Sequence, residues 1–245
     1  MAVPPFHWWR TVFFLIPAIA VYTIVLGTLS LFSILIDRQG HLAHRCARAW
    51  AWLILKTTGV TVDVSGLDAL PRDVPYLFLS NHQSIYDIPV LFWHLPYQLR
   101  ILAKASLGKF PFLGGHLRRS GHVLVDRSNP GQSTMQSIKE LMRQRVSLIV
   151  FPEGTRSADG KVARFRGGIV MLAIEAGLPI VPVAVEGTRH VMLKDRLMTC
   201  PGHVRMRVGH PVSTEGYELS QARELAGIIE RKVRQDVEAM QALSS

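Results

Sequence analysis

The sequence predicts an α/β fold, with a mixed, mostly parallel central sheet flanked by helices and an N-terminal membrane-associated helical segment in front of it. Three observations predict this. Short apolar runs rich in β-branched residues recur after Gly59, helical patterns fall between them, and residues 11–36 carry no charge at all. With 245 residues and 48% apolar composition, the chain can bury a substantial core. Two units are expected: residues 1–58 as a membrane segment and residues 59–245 as the α/β domain.

The charge-free run is bounded by Arg10 before it and by Asp37 and Arg38 after it. As a helix it would extend about 39 Å, against about 30 Å for a hydrocarbon core. A signal-peptide apolar region is only about 7–15 residues long, so this run is expected to be retained. Pro17 and Gly27 are tolerable in a membrane helix. Residues 41–58 place Arg45, Arg48 and Lys56 around an apolar centre that holds Trp50 and Trp52. That centre is too short to span easily, and tryptophans beside cations suit a headgroup boundary, although a core helix would carry the same pattern. Two arrangements fit: a spanning helix followed by an interfacial one, or a two-helix hairpin embedded from one side. If the helix spans, the denser cations after it place the remaining chain on the cytoplasmic face of the membrane.

In the α/β part, strands are expected near residues 60–64, 76–80, 99–103, 122–126, 147–151, 180–185 and 204–208. Helices are expected near 84–94, 132–145, 167–175 and 220–243. The last of these carries Leu225, Ile228, Ile229, Val233, Val237 and Met240 near helical spacing, as a helix packed on the domain does. There is no internal repeat and no long linker.

Lys and Arg number 28 against 18 Asp and Glu, a formal charge of +10. Such an excess suits a nucleic acid, an anionic membrane surface or a phosphorylated substrate. Nucleic-acid binding would need basic residues interleaved with exposed aromatics on strands, or a recognition helix. Neither is evident, and the aromatics concentrate in the membrane segment, so no nucleic-acid partner is expected. Cys46 and Cys200 form no metal-ligand spacing and read as free thiols.

The chemistry is expected in two clusters. The first, Asn81-His82-Gln83-Ser84-Ile85-Tyr86-Asp87, follows an apolar strand and opens a helix. With Ser84 as N-cap, Asp87 falls at the third helical position. A loop-to-helix bend there brings an imidazole to a carboxylate that fixes its tautomer and stabilises the imidazolium, so the pair can remove a proton from a hydroxyl. The second cluster, Phe151-Pro152-Glu153-Gly154-Thr155-Arg156-Ser157, ends a strand, where open α/β sheets bind ligands. Gly154 permits a tight bend, Arg156 can grip a phosphate and Glu153 can accept hydrogen bonds from a polyol.

Together these clusters resemble the glycerolipid acyltransferase family, most of all its lysophosphatidic acid acyltransferases. Two further blocks fit in order: Gly121-His122-Val123-Leu124-Val125-Asp126-Arg127 and Val181-Pro182-Val183-Ala184-Val185-Glu186-Gly187. Lys104 with Pro111 and Gly114, and Phe165-Arg166-Gly167-Gly168, also match, with Arg166 where the family commonly has Lys.

The resemblance implies acyl transfer from acyl-CoA or acyl carrier protein to the sn-2 hydroxyl of lysophosphatidic acid. His82 would be general base, oriented by Asp87, with no acyl-enzyme, no metal and no cofactor. It implies Lys104, Arg127, Glu153, Gly154, Thr155 and Arg156 as the substrate-binding set. Another lysophospholipid, a lyso-ornithine lipid or glycerol 3-phosphate is the alternative acceptor. A hydrolase using the same pair, or a non-catalytic basic membrane-binding protein, is the alternative from another class.

Overall fold

The computed structural model describes residues 5–33, 35–37, 39–104, 122–125 and 132–243. Its centre is a seven-stranded sheet: β1 (Val60–Ser65), β2 (Leu77–Ser80), β3 (Leu99–Lys104), β4 (Val123–Val125), β5 (Ser147–Val150), β6 (Ile180–Glu186) and β7 (Gly202–Val208). The spatial order is β1-β7-β6-β2-β5-β3-β4. Every neighbouring pair is parallel except β6 and β7, which are antiparallel. The expected mixed, mostly parallel sheet is therefore the fold observed.

The central strands β2, β5 and β6 are buried on both faces, as parallel strands are, whereas β1 and β7 leave alternate residues exposed or half-buried. Side chains alternate along each strand, so Leu77 and Leu79 of β2 enter one core while Phe78 enters the other. The first core packs under α4 (Gln132–Arg143), α5 (Gly167–Ala176) and α7 (Ala222–Ala242). Within α7, Leu225, Ile229, Val233, Val237 and Met240 form the buried stripe, matching the expected periodicity. The second core packs under α2 (His41–Thr58) and α3 (Asp87–His94).

The N-terminal helix α1 spans Phe6–Ser33, with a π-helical turn at Thr11–Leu15. It is long and apolar enough to cross a membrane, and little of it is buried. Phe14, Val21, Ile24, Val25, Leu29 and Phe32 are each more than half exposed. Its other side packs on α2, where Trp50 Nε1 donates to Thr23 Oγ1 at 3.0 Å and the Tyr22 and Thr57 hydroxyls meet at 3.0 Å. α1 and α2 are thus a hairpin. Ala51, Ile54 and Leu55 of α2 share a core with Phe78, Leu91 and Val181 of the α/β part, so α2 belongs to both units.

Three arginines fasten the hairpin. Arg10 donates to the carbonyls of Thr57 and Thr58 at the C-terminus of α2. Arg48 donates to the carbonyls of Trp93 and Leu95 at the end of α3 and lies 5.3 Å from the Trp93 ring centroid. Arg100, almost wholly buried, reaches the carbonyls of Gln39 and Gly40 at the hairpin's turn, at 3.5 and 3.4 Å. Helix C-termini leave carbonyls unsatisfied, and cations there satisfy both the lone pairs and the dipole. Of the cations around the apolar centre of α2, Arg48 turns inward, and its guanidinium caps α3.

One backbone position sets the end of β6. Gly187 has φ +96°, and a Cβ there would lie 2.4 Å from the His203 carbonyl oxygen. Gly187→Ala is therefore expected to destabilise the fold by about 2–4 kcal/mol through a forced φ and a backbone collision. Thermal unfolding followed by circular dichroism checks this, and an unchanged midpoint would refute it.

Candidate active site

Three neighbouring strands deliver the site. β2 lies between β6 and β5 and is parallel to both, so their C-terminal ends emerge side by side. The loop after β2 carries His82, the turn after β5 carries Glu153–Arg156, and β6 leads through Gly187 into a short helix, α6 (Thr188–Val191). Ligands in open α/β sheets bind beyond such ends.

The dyad expected from sequence forms. His82 Nδ1 lies 2.8 Å from Asp87 Oδ2. Asp87 is wholly buried, whereas the His82 side chain keeps 16% of its surface exposed. With a carboxylate at Nδ1, that nitrogen carries the proton and Nε2 is left as the ring's acceptor.

The helix start differs from expectation. α3 begins at Asp87, not near Ser84, because residues 84–86 form a turn closed by Asp87 N–H on the Ser84 carbonyl. Asp87 is therefore the first helical residue. Its Oδ2 reaches back to accept the backbone N–H groups of Gln83 (2.7 Å) and Ser84 (2.9 Å). Ser84 is not the N-cap: its hydroxyl donates to the Met192 carbonyl at 2.8 Å.

The rest of the loop is pinned from both sides. The Asn81 side-chain amide makes a two-way pair with the backbone of Val185 on β6, both bonds at 2.8 Å. Gln83 Nε2 donates to the Gly160 carbonyl, and Ser157 N–H donates to the His82 carbonyl at 2.7 Å. The Phe151 ring stacks on the imidazole with centroids 4.0 Å apart and planes 16° apart. His82 is thus held at its ring face, its Nδ1 and its backbone.

Glu153 has a place that the sequence pattern did not suggest. It is only 5% exposed, and its two oxygens accept the N–H of His82 (2.9 Å) and of Ala163 (3.2 Å). It joins the loop after β2 to the segment after β5, where the expectation was a contact to a polyol. Burial raises its pKa from 4.5 to about 7, with smaller raising contributions from Asp87 and Glu230, while the two N–H donors lower it.

The turn beyond is cationic. Gly154 has φ +82°, and a Cβ there would come within 3.0 Å of the Arg166 guanidinium carbon. Lys194 Nζ lies 3.4 Å from Thr155 Oγ1. Arg156 lies 3.3 Å from Asp195 on the surface, an exposed pairing that holds the guanidinium weakly. Of the other expected contacts, Lys104 ends β3 opposite Val125, with its side chain outside the described residues. Arg127 lies outside the described residues altogether.

An apolar cavity of about 220 Å³ lies between the hairpin and the sheet. Gly27, Ala47, Trp50, Ile88, Phe92 and Leu99 are among its walls. Ile88 immediately follows Asp87, so the cavity and the dyad share α3.

The raised Glu153 pKa has a thermodynamic consequence. A carboxyl that holds its proton more tightly when folded contributes stability that is complete below about 4.5 and lost as pH rises through about 7. Glu153→Gln is expected to remove this component. The unfolding midpoint of the wild type, relative to Glu153→Gln, should fall between pH 4.5 and 7.5. A difference that stays flat or rises would contradict the assignment.

Comparison with known proteins agrees with the site. The family model described as Acyltransferase matches residues 61–186, which includes both sequence clusters and β6. The chain is 30% identical over 211 residues to a 1-acyl-sn-glycerol-3-phosphate acyltransferase of Cocos nucifera, covering 84% of this chain and 63% of that protein. It is 35% identical over 162 residues to the alpha enzyme of that name in Mus musculus, covering 64% of this chain and 57% of that protein. The chain thus spans about three-fifths of these relatives' lengths. The crystal structure of the 1-acyl-sn-glycerophosphate (LPA) acyltransferase PlsC of Thermotoga maritima superposes with a TM-score of 0.74 at 28% identity. That match covers 91% of this chain and 95% of the other. A partly exposed histidine on a buried aspartate at the ends of parallel strands, within a region that the family model spans, leads to one conclusion: this chain belongs to the acyltransferase family.

Proposed function

We propose that the protein transfers a fatty acyl group from a thioester donor to the sn-2 hydroxyl of lysophosphatidic acid, yielding phosphatidic acid. The observation that carries this reading is the His82–Asp87 pair, whose Nε2, without a hydrogen-bond partner among the described residues, sits in a partly exposed ring beside a cationic strand-end turn. The names of the relatives and of the solved structure favour this acceptor.

His82 Nε2 takes the proton of the acceptor hydroxyl as its oxygen attacks the thioester carbonyl. The tetrahedral intermediate expels the thiolate, the carbon–sulfur bond breaks, and the imidazolium returns its proton to sulfur. Asp87 stabilises the imidazolium throughout. The route needs neither an acyl-enzyme nor a metal. Arg156, with Arg166 and Lys194 beside the same turn, offers the acceptor's phosphate two or three donors. Lys104 and Arg127 remain part of this proposed phosphate-binding set. The apolar cavity beside α3 suits the acyl chain, with acyl-CoA or acyl carrier protein as the donor that brings it.

The hairpin explains how such a lipid would arrive. α1 is fastened along one side to α2 and at its start to Thr199, whose N–H donates to Thr11 Oγ1 at 3.0 Å. Only its outer apolar stripe is left for lipid. We therefore favour a hairpin lying in one leaflet, on the cytoplasmic face, over a spanning helix.

His82→Ala is expected to cut turnover by at least about 100-fold while leaving folding and vesicle binding intact. The purified protein would be offered lysophosphatidic acid, other lysophospholipids, a lyso-ornithine lipid and glycerol 3-phosphate, each with acyl-CoA and with acyl carrier protein. Retained activity in the variant would sink the mechanism, and preference for another acceptor would replace the substrate. A surplus of free fatty acid over ester would indicate hydrolysis instead.

Placing charge on the outer stripe tests the anchor. Ile24→Lys combined with Leu29→Lys costs about 2.5–3.5 kcal/mol per charge if both sit deep in hydrocarbon. The double variant is expected to leave the vesicle fraction in a flotation assay, and unaltered flotation would refute the proposed face.

A further inference from the structure

We infer that Thr188 is a positioning residue for the dyad, acting through Asp87. This deepens the acyl-transfer reading and rests on it. The Asp87 carboxylate is wholly buried, and among the described residues its donors divide unequally. Oδ2 accepts three: His82 Nδ1 and the N–H groups of Gln83 and Ser84. Oδ1 accepts one, the Thr188 hydroxyl, at 2.5 Å.

The hydroxyl sits where the backbone delivers it. Thr188 is itself wholly buried and is the first residue of α6, directly after Gly187. The close approach of Gly187 to the His203 carbonyl leaves no room for a side chain, so the chain turns sharply at the end of β6. That turn aims Thr188 across the end of β2. The β6 strand is already locked to the catalytic loop through Asn81 and Val185. A side chain 101 residues away in sequence thereby becomes the fourth donor to the carboxylate that orients His82.

The consequence is rotational. With Oδ1 satisfied, the carboxylate plane is fixed at both oxygens, and Oδ2 faces the imidazole in one geometry. Without the hydroxyl, a buried acceptor is orphaned, and the carboxylate gains from any rotation that shares its three remaining donors between two oxygens. His82 Nδ1 then loses its fixed partner, and the imidazolium formed during transfer loses stabilisation. Thr188 touches no reacting atom, so its effect belongs to kcat and not to substrate affinity.

Thr188→Val, which keeps the shape and removes only the hydroxyl, is compared with Thr188→Ser, which restores it. The valine variant is expected to lose about 10- to 100-fold in kcat with KM within about twofold, and serine to recover most of the loss. A spectroscopic readout runs beside it. The far-downfield proton resonance of His82 Nδ1–H against Asp87 should shift or vanish with valine and persist with serine. If valine prevents folding, Thr188→Ala takes its place in the same comparison. Unchanged kcat and resonance in the hydroxyl-free variant, or equal losses in the serine variant, would overturn the inference. Wild type and His82→Ala are assayed alongside. An inactive wild type or an active His82→Ala would refute acyl transfer by the dyad, and the resonance would still decide whether Thr188 orders the pair.

Discussion

The architecture of the site follows from one buried charge. Asp87 has no exposed surface and, among the described residues, no lysine or arginine partner. A carboxylate in that position is tolerable only if protein dipoles replace the water that it has lost. Four donors do so, and they come from two parts of the chain: the imidazole and two amides from the loop after β2, and a hydroxyl from the end of β6. The loop cannot relax without orphaning an oxygen of that carboxylate. The geometry that the proposed proton abstraction requires is therefore also the geometry that satisfies the buried group.

The sheet makes this convergence possible. β2 is central, with β6 on one side and β5 on the other, all parallel. Each strand end is about 4.8 Å from the next, so side chains from three distant stretches meet without long loops. Burial on both faces gives the strands their rigidity: Phe78, Leu79, Val181 and Val183 are essentially inaccessible. The loop after β2 is then tied to both neighbours, to β6 through the Asn81 amide and to the segment after β5 through Glu153. Glu153 and Asp87 both hold the loop: Glu153 accepts the His82 N–H, and Asp87 accepts the imidazole together with the N–H groups of Gln83 and Ser84.

This division explains what was legible in the sequence. The strands after Gly59 were readable because a doubly covered parallel sheet demands continuous apolar runs, and glycines and polar clusters punctuate them. His82 and Asp87 were readable because they lie five residues apart in a cluster that ends a strand. Thr188 was not, because its partner is remote, and nothing local separates a buried hydroxyl from a helix-starting threonine. Its one local sign is the glycine before it. Glu153 was seen as a polar residue at a strand end, but whether a carboxylate faces inward to amides or outward to a ligand is decided by the packing of residues 157–163. Arg48 shows the same limit. Beside Trp50 and Trp52 it reads as an interfacial cation, yet its guanidinium donates to the C-terminal carbonyls of α3. Cation patterns name available charge, and tertiary contact assigns it.

The arginine contacts also bear on how the proposed membrane hairpin joins the α/β domain. The two helices of the hairpin are joined to the domain by guanidinium-to-carbonyl bonds at Arg10, Arg48 and Arg100, by the Thr11–Thr199 pair and by the shared core of α2. Several such attachments resist hinging, since rotation about one strains the others. α3 is the common member: Arg48 caps its end, Phe92 and Leu91 pack it on the sheet and α2, and Asp87 begins it. In the proposed leaflet arrangement, the depth of the outer stripe of α1 sets the height of His82 relative to the headgroups. The proposed transfer to a membrane lipid requires the base at the level of the free hydroxyl, and the connection from stripe to α3 to dyad sets that level.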